Sequence, residues 1–141
     1  MEFNFYHRHQ GRLNIDYKRI KERFEKIALF ECSKIGTINY IFVDDRTILL
    51  LNKKFLNHNY PTDVITFDYS HFPFISGDIY ISLDTVKVNC GLFQTSFRNE
   101  LNRVMVHGIL HLLKYGDKND NEIRLMRSKE NYYLKIFNET L

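Results

Sequence analysis

The pattern of apolar and polar positions alternates along this chain between the period of a strand and the period of a helix. Residues 2–8 alternate residue by residue, which predicts a strand that places Phe3 and Phe5 on one face. Asp16 can cap a helix that runs to about Phe30, because apolar side chains recur there at helical spacing. This apolar stripe consists of Tyr17, Ile20, Phe24, Ile27 and Ala28.

Three further segments, at 37–45, 63–69 and 77–83, are rich in β-branched and aromatic residues and are predicted as strands. Four more helices are expected between and after them. Their predicted starts are Asp44 or Asp45, Asp84 or Thr85, Ser96, and Asn119 or Asn121, and three of them end near Phe55, Phe93 and Asn138. The expected core contacts of the last helix are Ile123, Met126, Tyr133, Ile136 and Phe137.

Because the strands come early and the helices late, the pattern predicts an α+β fold. We expect a single domain over residues 1–141, in which a mixed four-stranded sheet packs with helices around one central, buried helix. The composition, 44% hydrophobic and 26% charged, is typical of a globular protein. The net charge of +3 permits an anionic partner without requiring one.

The sequence gives no indication of export or of a membrane anchor. The N-terminal residues lack the apolar core of a signal peptide, and no apolar run approaches the roughly 18 residues that span a bilayer. Cys32 and Cys90 are far apart in the sequence and form no CxxC motif. We therefore expect a cytoplasmic protein with reduced thiols and no membrane partner.

The segment VMVHGILHLLKYGDK, residues 104–118, contains the candidate chemistry. His107 and His111 are the only polar side chains between residues 104 and 113, and they lie about 40° apart around the helix axis. A buried imidazole without a partner costs a few kcal/mol, so both rings must be satisfied. Hydrogen bonds to carbonyl or carboxylate groups would do this, and so would a metal ion.

The residues after the helix favour a metal. Gly116 can take the left-handed conformation that ends a helix, and Asp117 can then return toward the histidines as a third ligand. Two imidazoles and one carboxylate suit zinc and leave a fourth position for water. Gly108 occupies the place of the catalytic glutamate in an HExxH metalloprotease, which disfavours proteolysis by that mechanism.

Three segments together resemble a known family. HGILHLLKYGD is similar to the HGxLHLxGYDH signature of the YbeY endoribonucleases, the bacterial rRNA-maturation factors. Upstream, LNKKFLNHNYPTDVITFDY resembles the LNxxYRxxxxPTDVLSF stretch of that family, and GDIYIS resembles its GDI strand. The segments keep the same order and spacing across roughly residues 35–130.

The resemblance implies a metal-dependent endoribonuclease that cuts single-stranded RNA. It further implies a role in 16S rRNA 3′-end maturation and ribosome quality control, with the small ribosomal subunit as partner and no DNA substrate. One divalent metal per chain, most often zinc, would be held by the positions that correspond to His107, His111 and Asp117. These three residues would act in catalysis through water bound to the metal.

Two positions depart from the family pattern. Asp117 stands where the signature ends in histidine, and its negative charge would weaken the metal as a Lewis acid. Leu56 stands where the family has an arginine expected to hold the substrate phosphate. The candidate substrate-binding residues are Lys53, Lys54 and His58, which could supply the missing charge, and Thr62 and Asp63, which match a pair that lines the cleft of the family.

Two other functions remain compatible with the sequence. The missing arginine favours a non-catalytic ribosome-assembly factor that binds rRNA and carries a structural metal. A metallohydrolase acting on a small substrate is the third possibility. Four basic residues flank the histidine helix and could steer an RNA backbone, namely Arg98, Arg103, Lys114 and Lys118.

Overall fold

The elements of the fold follow the apolar pattern of the sequence closely. The computed structural model describes residues 2–55 and 62–139. Within these ranges the strands are β1 (Glu2–Arg8), β2 (Lys34–Val43), β3 (Val64–Asp68) and β4 (Phe74–Ser82). The helices are α1 (Tyr17–Phe30), α2 (Asp45–Phe55), α3 (Leu83–Leu92), α4 (Phe97–Leu112) and α5 (Asp120–Glu139).

The four strands form one mixed sheet in the order β1-β2-β4-β3. Strands β1, β2 and β4 are parallel, and β3 runs antiparallel to β4 at the edge. The parallel pairs need crossover connections, which α1 provides between β1 and β2. The predicted α+β fold, with a mixed four-stranded sheet, is confirmed.

Helix α4 is the central helix of the larger core. Its side chains pack with those of α1 and α5 against one face of the sheet, where Ile38, Tyr40 and Ile79 are fully buried. A smaller apolar cluster, built around Val43, Ile48 and Ile65, lies between the other face and α2. The histidine helix is therefore held between the sheet and its neighbouring helices.

Gly108 allows α4 to lie close to the sheet. A Cβ atom at this position would come within 2.8 Å of Ile79 Cγ2 on β4. That separation is shorter than a van der Waals contact, so a larger residue would push the helix away from the strand. The glycine after His107 therefore has a packing function, in addition to excluding an HExxH site.

The predicted element boundaries need three corrections. Strand β2 begins at Lys34 and ends at Val43, because the Asp44 carboxylate accepts a hydrogen bond from the Thr47 amide at 2.9 Å and caps α2. Strand β4 likewise begins three residues before Gly77. The prediction that Asp84 or Thr85 starts α3 was wrong, because the side chain of Ser82 caps that helix.

The prediction of one core residue of α5 was also wrong. Ile123 is 50% exposed, because it lies in the first turns of the helix, at the mouth of a cleft. Met126, Tyr133 and Phe137 are buried as expected, and Ile136 is partly buried against the core. Across residues 2–55 and 62–139, no helix combines the length and the apolar character needed to cross a bilayer.

Candidate metal centre and its cleft

His107 and His111 lie one turn apart on α4 and direct their rings toward the same point. The ring centroids are 4.5 Å apart and the ring planes meet at 85°. The two Nε2 atoms approach to 2.9 Å. Both side chains are partly buried, with 21% of His107 and 25% of His111 exposed.

The chain reverses direction just after this pair. The amide of Lys114 donates to the His111 carbonyl at 3.0 Å, and the amide of Tyr115 donates to the Leu110 carbonyl at 3.0 Å. This pair of bonds is the Schellman arrangement, and Lys114 takes its left-handed conformation with φ 75°. The expectation that Gly116 supplies the left-handed residue was therefore wrong.

Gly116 has a different role in the same turn. A Cβ atom there would lie 2.6 Å from Glu122 Oε2, so a larger residue would displace the Glu122 carboxylate. That carboxylate accepts a hydrogen bond from the Lys118 amide at 3.0 Å. These contacts fix the backbone on both sides of Asp117 and thereby set where its side chain points.

Asp117 returns to the histidines, as the sequence predicts. Its Oδ2 lies 3.2 Å from His111 Nε2 and 3.5 Å from His107 Nε2. The Asp117 side chain is 46% exposed and forms the open side of the group. One donor atom from each of the three residues lies within 4.8 Å of the others, a separation compatible with one metal ion.

The outer ring nitrogens of both histidines have acceptor partners. His107 Nδ1 lies 2.7 Å from the carboxylate of Glu130, and His111 Nδ1 lies 2.9 Å from the carbonyl oxygen of Tyr115. Each Nδ1 must therefore carry a proton and donate it. This leaves the Nε2 lone pairs facing each other and the Asp117 oxygen, so that three acceptors meet without a donor.

Such a set of acceptors requires a cation, either a proton or a metal ion. Three ligands of a tetrahedral zinc ion lie about 3.3 Å apart. The three separations among His107, His111 and Asp117, from 2.9 to 3.5 Å, bracket that value. The residues present therefore fit a metal ion, and the group could bind one.

Glu130 connects the histidines to a buried network of charges on α4 and α5. Only 4% of this residue is exposed. Its other oxygen accepts a hydrogen bond from Arg103 at 3.0 Å and forms an ion pair with Arg127 at 3.3 Å. Burial raises the pKa of Glu130, but the hydrogen bond and charge of His107, together with the two arginines, outweigh it and hold the pKa below its ordinary range.

The contacts around the two histidines shift their pKa values in opposite directions. Burial lowers the pKa of His107, but the hydrogen bond and charge of Glu130, with Asp63 and Asp117, raise it above its ordinary value. The pKa of His111 is lowered, by burial and then by the neighbouring charge of His107. A proton on His107 is the metal-free way to satisfy the three converging acceptors.

A cleft of about 330 Å³ opens beside the three converging residues. His107, Asp117 and Asp63 line it, as do Glu130 and its arginines. Burial raises the pKa of Asp63 above its ordinary value. Glu100, which is 3% exposed, also lines the cleft, and burial raises its pKa as well.

The predicted substrate-binding residues are only partly brought together. Asp63 lines the cleft, and the side chain of Thr62 hydrogen-bonds to it. Lys53 and Lys54 are exposed in the last turn of α2 and are not among the described residues that line the cleft. His58 and Leu56, the position of the family arginine, lie outside the described residues.

Two of the flanking basic residues are engaged in ion pairs. Arg103 is held by Glu130, and the Lys114 ammonium lies 2.5 Å from the Asp68 carboxylate. Glu130 is the functional residue that the sequence reasoning missed. It is a charged residue within the apolar stripe of α5, four residues after Met126 and three before Tyr133, and this interruption was the available signal.

Comparisons with known proteins place these features in one family. The family model described as endoribonuclease YbeY matches residues 5–138. The endoribonuclease YbeY of Flavobacterium psychrophilum is 50% identical over 111 residues, covering 79% of each chain. That of Parabacteroides distasonis is 48% identical over 125 residues, covering 89% of this chain and 88% of the relative. The solution structure of a Thermotoga maritima protein matches with a TM-score of 0.64 and 29% identity, covering 94% of this chain and 88% of that one.

Proposed function

Because this chain belongs to the endoribonuclease YbeY family, we propose that it is a metal-dependent endoribonuclease that cuts single-stranded RNA. Family membership supports a nuclease role in rRNA processing. Within that role we assign it to 16S rRNA 3′-end maturation and ribosome quality control, with the small ribosomal subunit as partner. We further propose that residues 1–141 act as a single catalytic domain in the cytoplasm.

The convergence of His107, His111 and Asp117 is the observation that carries this proposal. We assign these three residues as ligands of one divalent metal per chain, and zinc as the metal, because two imidazoles and one carboxylate match its preferences. When bound, the metal supplies a Lewis acid that lowers the pKa of water and polarises a phosphoryl oxygen. Glu130 and the Tyr115 carbonyl keep both Nε2 atoms directed at the site.

The cleft residues would position the substrate and transfer protons. Asp63 is suited to exchange a proton with the substrate, because it lines the cleft and burial raises its pKa above the ordinary value. Thr62 holds the Asp63 carboxyl through its side chain. We also retain Lys53, Lys54 and His58 as substrate-binding candidates, with lysine acting as a point charge where the family uses the arginine fork.

The same geometry argues against the competing functions. A structural metal needs a closed ligand set, whereas Asp117 is partly exposed and a cleft opens beside the site. The relatives are named endoribonucleases, so a non-catalytic assembly factor is not favoured. The family resemblance likewise favours RNA over a small-molecule substrate.

The direct test is an RNA cleavage assay on metal-loaded protein. The wild type should cut a single-stranded RNA faster than the matching duplex, and chelation should stop the reaction. The His111→Ala variant should lose this activity, whereas His71→Ala, which removes an exposed histidine outside the cleft, should keep it. RNA binding without cleavage under any divalent metal would overturn the enzymatic proposal.

A further inference from the structure

A second groove lies apart from the metal centre, where the N-terminal turns of α1 and α4 meet. It encloses about 660 Å³, within the range of sites that hold small ligands or parts of larger ones. Four arginines line this groove, together with apolar side chains that include Ile20 and Leu101. We call it the arginine groove, and its cationic members are Arg12, Arg19, Arg23 and Arg98.

The lining of the arginine groove is strongly basic. Its lining contains four arginines and a single acidic residue, Asp16, so it carries a formal charge of +3. The chain has 20 basic and 17 acidic residues in total, so the remaining basic and acidic residues balance. A chain with a modest net charge therefore has a cluster of like charges in this groove, and such a cluster attracts anions.

The guanidinium groups are available to a ligand. Arg12, Arg19 and Arg98 are exposed, and none forms an ion pair with a carboxylate in the part of the chain that the structure describes. The Asp16 carboxylate accepts the Arg19 amide at 3.1 Å and caps α1, and its charge is included in the net +3 of the lining. One carboxylate among four guanidinium groups leaves the described lining with an excess of positive charge.

Arg23 forms the fixed part of the groove. Its guanidinium donates to the Phe137 carbonyl at 3.2 Å and lies 5.2 Å from the centroid of the Phe137 ring. Burial, and then the charge of Arg19, lower the pKa of Arg23, although the charge of Asp16 partly opposes them. One guanidinium group anchored by Phe137, beside three exposed guanidinium groups, suits a ligand with more than one negative charge.

The chemistry of the lining identifies the class of ligand. Guanidinium groups bind phosphate oxygens in a bidentate manner, and several of them in one groove match the repeated phosphates of a polyanion. Phe97, a partly exposed aromatic residue of the lining, can stack on the flat face of a base. A single-stranded nucleic acid presents both features.

The arginine groove and the catalytic cleft border the same helix. Arg98 and His107 are nine residues apart on α4, which places them about 13.5 Å apart along its axis and on opposite sides of the helix, so an RNA that reaches both must pass around α4. We propose that the arginine groove binds the phosphodiester backbone of single-stranded RNA, at nucleotides several positions away from the bond in the cleft. The choice of RNA as the occupant rests on the proposed function, whereas the preference for a polyanion rests on the groove alone.

The test removes two exposed arginines and keeps the fold. The variant Arg19→Gln/Arg98→Gln is compared with Lys26→Gln/Arg46→Gln, which removes the same charge at exposed positions outside the groove and the cleft. Binding of a nuclease-resistant 2′-O-methyl RNA of about twelve nucleotides to the metal-loaded chain is followed by fluorescence anisotropy at several salt concentrations. Circular dichroism verifies that both variants are folded.

The groove variant should bind the RNA roughly tenfold more weakly at low salt, because two phosphate contacts are lost. The slope of log K against log salt should become shallower by about 1.4, since each phosphate contact on a single strand contributes about 0.7. The control variant should keep the wild-type slope. Equal losses in both variants, or no loss in either, would overturn the proposal.

Cleavage kinetics separate this proposal from the proposed function. With a dinucleotide that fills only the cleft, the groove variant should match the wild type, and with a long RNA its KM should rise while kcat stays unchanged. If no form of the protein cuts RNA but the groove variant still loses binding, the proposed endoribonuclease activity is refuted, whereas RNA binding by the arginine groove is supported. If AMP displaces the oligonucleotide as well as unlabelled RNA of the same length does, the groove is a mononucleotide pocket and the proposal fails.

Discussion

Replacing Glu130 by glutamine tests whether a residue that does not contact the metal holds the site together. Glu130 accepts a hydrogen bond from His107 Nδ1 at 2.7 Å, and its other oxygen accepts one from Arg103. Glutamine has the same shape but no charge, and only one of its terminal atoms accepts hydrogen bonds. In Glu130→Gln, either His107 or Arg103 must therefore face an amide N–H, and one of these contacts is lost.

The expected effect on metal affinity follows from the position of Glu130. The residue is buried, so water cannot replace the missing acceptor. Partners that orient a ligating histidine contribute about 10- to 100-fold to metal affinity. This range corresponds to about 1.4–2.7 kcal/mol of binding free energy. We expect Glu130→Gln to weaken metal binding within this range.

Competition with a chromophoric chelator measures this change directly. The matched control is Glu22→Gln, which removes the same charge from an exposed position on α1. The control should bind metal as tightly as the wild type. If Glu130→Gln also retains wild-type affinity while circular dichroism shows an intact fold, Glu130 does not orient His107 toward a metal, and the description of the site is incorrect.

Three further predictions concern the cleft and the core. In chelated protein, the lowered pKa of Glu130 stabilises the fold at pH values above the ordinary glutamate pKa, and this stability is lost as the pH falls through the folded-state pKa. Tm should therefore drop more steeply in acid for the wild type than for Glu130→Gln. Asp63→Asn should lower kcat by about 10²- to 10⁴-fold with unchanged metal content, and wild-type kcat would exclude Asp63 from proton transfer. Gly108→Ala should destabilise the protein by about 1–3 kcal/mol in urea unfolding, because its Cβ would lie 2.8 Å from Ile79, and an unchanged midpoint would mean that α4 does not lie as close to β4 as described.

The features that local sequence determines were predictable. Asp16 and Ser96 cap the helices that the sequence assigns to them, and the apolar surroundings of His107 and His111 place both residues on a buried helix. The return of Asp117 to this pair was also predictable, because a chain that reverses direction at the end of a helix brings the next few residues back beside the last turn. Each of these inferences depends on residues within a few positions of one another.

The features that depend on distant residues were not predictable. Glu130 reaches His107 from 23 positions away, and only the packing of α5 against α4 reveals the pair. The left-handed residue after α4 is Lys114, although glycine is the intrinsically favoured residue, because the surrounding hydrogen bonds outweigh local preference. The strand order likewise depends on how the crossovers pack, which no single segment encodes.

The ligand role of Asp117 is the most direct test of the proposed metal centre. Elemental analysis of protein purified without a histidine tag should give about one zinc ion per chain, and X-ray absorption should give a first shell of two imidazole nitrogens with oxygen ligands at about 2.0–2.2 Å. Asp117→Ala should keep the fold and lose most of the metal, since its side chain is partly exposed at the end of a turn. Metal-free wild-type protein, or an Asp117→Ala variant with unchanged zinc content and first shell, would contradict the account.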